Sequence, residues 1–173
     1  MLRLFVGIEL PPELKLSLSL LQSGLPGARW LDPGNFHVTV RFIGEADEGL
    51  AADIDDALSR IRAPRFAVSL AGMGSFSGRE LYIGVEKCDG LSVLRDKVER
   101  ALVRLRLEPE GRRYTPHVTL ARLRRQDGRL EAYLGDHALY RAPPFPVERF
   151  HLVASYLTKA GSIYEDQAEY PLG

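Results

Sequence analysis

The stretch His37-Val38-Thr39-Val40 recurs later in the chain as His117-Val118-Thr119-Leu120. The sequence contains four histidines and four threonines, and each copy of the motif uses one of each, so a chance repetition would be rare. Valine and threonine favour extended backbone, and each copy is therefore predicted to lie on a β-strand. A motif that recurs on two strands indicates that one structural unit occurs twice in the fold.

Strand geometry determines what the two copies present to a ligand. Residues i and i+2 of a strand point to the same face of a sheet. The imidazole of each motif therefore lies beside its threonine hydroxyl, while Val38 and Val118 point to the opposite face. Two such strands side by side would bring two imidazoles and two hydroxyls to one ligand.

These four polar side chains suit acid–base chemistry at a phosphate. Imidazole titrates near neutral pH, so one histidine can be neutral while the other is protonated. His37 and His117 are therefore candidate catalytic residues that act together as general acid and general base. Thr39 and Thr119 are candidate phosphate-binding residues, because their hydroxyls can donate to the non-bridging oxygens on which charge builds up.

A purely structural role and a metal site are the alternatives to catalysis for this motif. A single His-x-Thr on a strand is usually a partly buried histidine whose ring bonds a backbone carbonyl, but the matched repetition argues against this. Two histidines could also be zinc ligands, yet zinc usually takes three or four protein ligands. The sequence contains no HExxH motif and no paired cysteines. We therefore expect no metal and no cofactor in this site.

Apolar patterns and turn signals around the motifs predict an α+β protein in which helices pack on antiparallel sheets. The predicted strands are Leu2–Leu10, Phe36–Ile43, Phe66–Leu70, Leu81–Val85, His117–Leu123, Val147–Tyr156 and Ile163–Tyr170. The predicted helices are Pro12–Gln22, one capped by Asp47, one that begins at Asp89, and Arg129–Leu134. The glycine-rich stretch 72–78 is predicted to be a hairpin loop. No linker interrupts the chain, so residues 1–173 are expected to form one domain.

Composition argues against several classes of protein. No apolar run approaches the ~18–20 residues that span a bilayer, and residues 1–9 are typical of a strand rather than a signal peptide. Cys88 is the sole cysteine of the sequence, so no internal disulfide can form, which fits a reducing cytoplasm. We expect a cytoplasmic protein with no membrane partner.

Positive charge is concentrated in one segment, although the formal net charge of the chain is zero. Neutrality argues against a protein that coats nucleic acid non-specifically. Residues 111–130, here called the basic segment, contain one acidic residue, Asp127, and six arginines: Arg112, Arg113, Arg122, Arg124, Arg125 and Arg129. Such a patch suits a ligand with one phosphate, and a solvated loop is the alternative.

The two motifs and their flanks resemble the 2H phosphoesterases, in particular the RNA 2′,3′-cyclic phosphodiesterases, which are also called 2′-5′ RNA ligases. The resemblance spans nearly the whole chain. Its flanking stretches are Leu4–Ile8, Trp30–Phe36, Arg41–Gly44, Leu81–Val85, Tyr114–Pro116, Ala121–Arg122 and Tyr164–Leu172. The resemblance implies two pseudo-symmetric lobes of antiparallel sheet with outer helices, and an active-site cleft between the lobes.

The same resemblance implies hydrolysis of a 2′,3′-cyclic phosphate at an RNA end to a 2′-phosphate. His117 would be the proton acceptor that activates water, and His37 would be the proton donor to the leaving ribose 3′-oxygen. The reverse reaction would join RNA ends by a 2′-5′ bond without ATP. The expected partners are RNA ends or small cyclic nucleotides, tRNA halves among them, with no obligate protein partner. A different substrate, such as ADP-ribose cyclic phosphate, and a non-catalytic RNA-end binder stay open as alternatives.

The resemblance further implies that Thr39, Thr119 and Arg122 hold the phosphate and that Phe42 stacks on the base. Phe42 and Arg122 each lie five residues after their histidine, so strict alternation along a strand would place them on the opposite face. These roles therefore require a β-bulge or a strand end just after each motif. Without one, Phe42 would be a core residue and Arg122 an ordinary surface residue.

Three further residues have simpler interpretations. His137 and His151 lack a threonine partner, and we expect a surface residue and a strand residue respectively. Tyr114, which precedes the second motif, is expected either to line the cleft or to pack in the core.

Overall fold

The computed structural model of the protein describes residues 1–124 and 128–173. This part of the chain contains ten strands and four helices. The strands are β1 (Leu2–Glu9), β2 (Arg29–Trp30), β3 (His37–Ala46), β4 (Phe66–Val68), β5 (Leu70–Phe76), β6 (Glu80–Val85), β7 (His117–Arg122), β8 (Phe145–Val147), β9 (Arg149–Thr158) and β10 (Gly161–Pro171). The helices are α1 (Pro12–Ser19), α2 (Glu48–Ser59), α3 (Asp89–Arg104) and α4 (Arg129–Asp136).

Two four-stranded antiparallel sheets carry the two motifs. The first sheet has the order β10-β9-β1-β3, with the first motif at the start of its edge strand β3. The second sheet has the order β2-β7-β6-β5, with the second motif at the start of β7. The strands β4 and β8 form a small third sheet. The predicted α+β class, with two lobes of antiparallel sheet, is confirmed, and β3 contacts β7 where the lobes meet.

The outer helices form where the sequence predicts them. Asp47 caps α2, because its carboxylate accepts a hydrogen bond from the backbone N of Leu50 at 2.8 Å. Helix α3 packs against β3 through a buried face at helical spacing. The buried residues of that face are Leu91, Leu94, Val98 and Leu102. No helix among the described residues is long and apolar enough to cross a membrane.

The glycine-rich stretch 72–78, predicted as a hairpin loop, is mostly strand. Strand β5 continues through it to Phe76, and the turn covers only residues 77–79. Gly74 lies opposite Tyr82 of β6, and a Cβ at this position would lie 2.6 Å from the tyrosine hydroxyl. The glycine therefore makes room for an aromatic side chain within the sheet, and it does not mark a turn.

Several element boundaries also differ from the prediction. Helix α1 ends before residue 20, because residues 20–22 donate to carbonyls three residues earlier instead of continuing the α-helical pattern. Strand β3 runs three residues further than predicted, to Ala46. Strand β2 was not predicted, since two residues are too short to show a pattern, and it pairs with the end of β7.

A buried charged cluster ties the first motif strand to the rest of the molecule. Arg41 of β3 is 8% exposed and donates to Glu99 of α3 at 2.7 Å. It also donates to the carbonyls of Phe42 and Glu108, at 2.5 and 2.6 Å. Burial raises the pKa of Glu99, but the bonds from Arg41 and from the Glu110 backbone N outweigh it and hold the pKa below its ordinary value. The cluster therefore joins β3, α3 and the segment that leads to β7.

Candidate active site

A β-bulge interrupts the first motif strand immediately after its threonine. On the neighbouring strand β1, Gly7 lies opposite Thr39, while Val6 lies opposite Arg41. Val40 is therefore an additional residue, and it shifts the alternation of the following side chains by one position.

The second motif strand carries the same bulge. On β6, Tyr82 lies opposite Thr119 and Leu81 lies opposite Ala121, which leaves Leu120 as the additional residue. Both motif strands have two consecutive buried residues at this point, in accordance with the change of alternation.

The two bulges bring the fifth residue after each histidine to the ligand-facing side. Phe42 is 46% exposed, with the guanidinium of Arg3 at 5.5 Å from its ring centre. Arg122 is exposed, and it donates to the carboxylate of Glu80 at 2.9 Å. The bulge that the sequence required is confirmed, and Phe42 is not a core residue.

His37 is held by two hydrogen bonds and enclosed by aromatic rings. Its Nδ1 donates to the carbonyl of Asn35 at 2.8 Å, and its Nε2 accepts from the hydroxyl of Thr39 at 2.8 Å. A carbonyl can only accept, so Nδ1 carries the hydrogen. The ring stacks on Phe5 at 4.6 Å between centroids and meets the edge of Tyr164 at 5.3 Å.

This enclosure makes His37 a weak base. The pKa of His37 is lowered from its ordinary value of 6.5 to about 4, chiefly by burial and to a smaller extent by the charges of His117 and Lys15. The hydrogen bond to Asn35 favours the protonated ring but does not offset these effects. His37 is therefore neutral at pH 7 in the free protein.

His117 has the opposite environment. Its Nδ1 donates to the carbonyl of Thr115 at 2.7 Å, two residues earlier in the chain, just as His37 bonds Asn35. Its Nε2 lies 3.2 Å from a carboxylate oxygen of Glu80. Both ring nitrogens thus face hydrogen-bond acceptors.

Glu80 gathers the polar residues of the second motif around one carboxylate. It accepts from the hydroxyl of Thr119 and from the guanidinium of Arg122, in addition to His117. The hydrogen bond from His117 lowers the pKa of Glu80 to about 2 with the help of Thr119 and Arg122, although burial opposes the shift. Glu80 could not be recognised from the sequence, because its contacts depend on the pairing of Glu80 with Arg122 across β6 and β7.

One cavity of about 440 Å³ is lined by residues from both motif strands. Its walls include Thr39 and Phe42 from the first lobe and Glu80 and His117 from the second. Tyr114 also lines it and donates from its hydroxyl to the carbonyl of Thr39 at 2.8 Å, which links the lobes directly. Burial raises the pKa of Tyr114, so this donor stays protonated.

His37 does not line this cavity but a second one, of about 260 Å³. Tyr164 connects this histidine to the second motif. Burial raises the pKa of Tyr164, while Arg122 lowers it and Glu80 raises it through their charges. The ring of Tyr164 therefore contacts His37 and also lies close enough to Arg122 and Glu80 to interact with their charges.

The basic segment is divided between the cavity and the surface. Arg112 and Arg113 line the 440 Å³ cavity, as does Arg95 from α3. Arg124 is exposed. Arg125 and Asp127 lie outside the described residues.

The two histidines without a threonine partner lie on other elements than the motif strands, and His151 lines the 260 Å³ cavity together with His37. His137 follows α4, is partly exposed, and rests against the ring of Tyr133 at 4.5 Å between centroids. His151 lies on β9, as predicted, and is buried.

Comparison with known proteins agrees with this architecture. The family model of the 2′-5′ RNA ligase superfamily matches residues 22–158. An RNA 2′,3′-cyclic phosphodiesterase from Aeropyrum pernix is 36% identical over 158 residues, which cover 87% of this chain and 89% of the relative. One from Thermotoga maritima is 31% identical over 177 residues, which cover 95% and 92%. The crystal structure of LigT from E. coli in apo form has a TM-score of 0.83 at 23% identity and covers 99% and 97% of the two chains.

Two His-x-Thr strands, one in each lobe, define a 2H phosphoesterase. The chain belongs to the 2′-5′ RNA ligase superfamily. The resemblance that the sequence motifs indicated is thereby confirmed, and the similarity to LigT confirms the two-lobed fold.

The depressed pKa of His37 predicts how stability depends on pH. The folded pKa of about 4 lies below the ordinary value of 6.5, so the unfolded chain takes up a proton first as the pH falls. The free energy of unfolding should therefore fall by up to about 3 kcal/mol between pH 6.5 and pH 4. Urea unfolding of wild type and His37→Gln measures this, and the variant should lose this part of the pH dependence. His137→Gln is the matched control, and equal pH dependence in wild type and His37→Gln would contradict the prediction.

Proposed function

We propose that this protein hydrolyses 2′,3′-cyclic phosphates at RNA ends to 2′-phosphates. The observation that carries the proposal is the meeting of two His-x-Thr strands at one cleft, with a neutral His37 and with His117 paired to a carboxylate. The RNA 2′,3′-cyclic phosphodiesterases among the relatives support the substrate class. Arg112 and Arg113 in the cavity of an otherwise neutral chain suit a single phosphate-bearing end better than a long duplex.

In the proposed reaction, water attacks phosphorus while the bond from phosphorus to the ribose 3′-oxygen breaks. Nε2 of His117 takes the proton from water, and Nε2 of His37 gives a proton to the departing oxygen. The phosphate stays on the 2′-oxygen, and exchange with solvent restores both imidazoles. The strain of the five-membered ring favours its opening, so the proposed reaction uses no nucleotide cofactor and no metal.

A bound phosphate has to change the surroundings of both histidines. In the free protein His37 is neutral and Nε2 of His117 contacts Glu80, whereas the proposed roles need a proton on His37 and a free Nε2 on His117. The negative charge of the phosphate favours the protonated form of His37 and so raises its pKa. The phosphate also competes with Glu80 for Thr119 and Arg122, and it thereby frees His117 to act as a base.

Phosphorus NMR of a nucleoside 2′,3′-cyclic phosphate, incubated with protein and EDTA, tests the proposal. The 2′-phosphate signal should appear with wild type. His37→Ala and His117→Ala should each reduce kcat/KM by about 10²- to 10⁴-fold, the usual contribution of a general acid or base. His137→Ala, a histidine outside the cleft, should retain full activity.

Two results would contradict the proposed chemistry. Activity that requires an added metal would rule out the metal-free mechanism. Turnover that survives His117→Ala would show that this residue is not the base.

Two further results would change the proposed substrate or function. If the nucleoside cyclic phosphate is not turned over but ADP-ribose cyclic phosphate is, the substrate is a cyclic phosphate other than an RNA end. If the protein binds RNA ends even after both histidines are lost, its function is binding and not catalysis.

Glu80→Gln should lower KM for the cyclic phosphate. The substitution removes a negative charge that competes with the substrate for Thr119 and Arg122. We expect a KM about tenfold lower, equivalent to ~1.4 kcal/mol. The matched control is Glu86→Gln. Glu86 is a carboxylate just beyond the other end of β6 that pairs with Arg141, so this substitution should leave KM unchanged. A KM that rises in Glu80→Gln would show that Glu80 assists substrate binding instead.

We also propose that the site runs in reverse as an ATP-independent 2′-5′ RNA ligase. A 5′-hydroxyl would take the place of water, so that a new bond from phosphorus to the 5′-oxygen forms as the 3′-oxygen leaves. Paired tRNA halves at high concentration should then give a joined product that resists nucleases specific for 3′-5′ bonds. Absence of this product with an enzyme preparation that is active in hydrolysis would refute ligation alone.

We propose the cytoplasm as the place where the protein meets RNA ends, and we propose no obligate protein partner. The lone Cys88 supports the location, because it precludes the internal disulfides typical of oxidising compartments.

A further inference from the structure

We propose that Glu9, His151 and Asp166 bind one divalent cation of the zinc type in the first lobe. The three residues lie on β1, β9 and β10, which are consecutive strands of the first sheet. One ligand atom of each residue lies within 4.8 Å of the other two. The proposal is independent of the reaction proposed above, because none of these residues belongs to a His-x-Thr motif.

The imidazole of His151 is the observation that points to a ligand. The residue is 5% exposed, and its Nδ1 has no hydrogen-bond partner among the described residues. This nitrogen lies 3.2 Å from a carboxylate oxygen of Asp166, but the two atoms do not form a hydrogen bond. A buried polar atom left without a partner destabilises the folded state. A cation facing the nitrogen lone pair and the carboxylate together would remove this destabilisation.

The geometry fits a small cation with mixed nitrogen and oxygen ligands. Two ligands at ~2.1 Å from a tetrahedral zinc ion stand about 3.4 Å apart. Nδ1 of His151 lies 3.2 Å from a carboxylate oxygen of Asp166, close to this value. The side chains of Glu9 and Asp166 are 57% and 56% exposed, so they can adjust around an ion. Water from the adjoining 260 Å³ cavity, which these residues line, can complete the coordination.

Lys15 is the positive group that such an ion would have beside it. Its ammonium lies 3.2 Å from one oxygen of Glu9 and 3.2 Å from the carbonyl of Gly34. A carboxylate has two oxygens, so Glu9 can keep this ion pair and offer its other oxygen to the cation. Two carboxylates against one ammonium leave the cluster negatively charged when His151 is neutral, and it therefore attracts a cation.

The imidazole also determines which cations are suitable. Mg²⁺ and Ca²⁺ prefer oxygen ligands alone, whereas Zn²⁺ and Co²⁺ readily bind imidazole nitrogen together with carboxylates. The site should therefore take Zn²⁺ or Co²⁺ and not Mg²⁺. A bound ion would clamp three neighbouring strands together, close to the segment that holds His37.

Calorimetric titration of untagged, EDTA-stripped and dialysed protein with Zn²⁺ tests the proposal. Wild type should bind one equivalent, and Asp166→Asn should bind at least about tenfold more weakly. Glu165→Gln, a neighbouring carboxylate on the same strand, is the matched control and should bind as wild type does. Co²⁺ should give visible absorption bands with wild type that Asp166→Asn lacks. Asp166 is exposed, so the variant should keep its fold, which thermal unfolding in EDTA checks.

Zn²⁺ that binds wild type and Asp166→Asn with equal strength would overturn the proposal, as would the absence of binding. Binding that is lost in His37→Gln but retained in Asp166→Asn would place the ion on the motif histidines instead. Cyclic phosphate hydrolysis in EDTA is a separate measurement, so failure of the cation site leaves the proposed reaction untouched.

Discussion

One additional residue directly after the threonine of each motif strand determines which side chains face the cleft. Val40 and Leu120 are these residues, and without them Phe42 and Arg122 would point away from the histidines. In the first lobe the bulge also turns Arg41 inward, where it is buried and held by Glu99 and by two backbone carbonyls. The same feature that exposes Phe42 therefore anchors the strand to α3 and to the segment before β7.

The two lobes share this backbone but differ in what lies opposite the bulged strand. Phe5 of β1 lies opposite Phe42, and Glu80 of β6 lies opposite Arg122. Phe5 stacks on His37 and helps to bury it, whereas Glu80 provides a negative charge for His117. Two motifs that match at the histidine, the valine and the threonine consequently hold one imidazole among aromatic rings and the other beside a carboxylate. A general acid and a general base need unequal surroundings, and the pseudo-symmetry alone would not provide them.

Local pattern was enough to predict much of this structure. The repeated motif predicted both motif strands and the face on which each histidine lies, and the spacing of Leu91, Leu94 and Val98 predicted the buried face of α3. Even the bulges could be inferred, because the implied roles of Phe42 and Arg122 conflicted with simple alternation. Features that depend on pairing between distant segments could not be predicted. Glu80 acts through its partner strand, and Gly74 of β5 leaves room for Tyr82 of β6, a neighbour that the local sequence does not reveal.

Burial keeps His37 neutral, although its motif matches that of His117 at the histidine, the valine and the threonine. Nitrogen–proton NMR of protein labelled with ¹⁵N-histidine tests this most directly. At about pH 6, where an unperturbed imidazole is largely protonated, the free protein should show His37 as the neutral Nδ1–H tautomer. A nucleoside 2′-phosphate should then protonate His37, since its anionic charge offsets the burial that holds the pKa at about 4. A charged His37 in the free protein, or one that the 2′-phosphate leaves unchanged, would contradict the account.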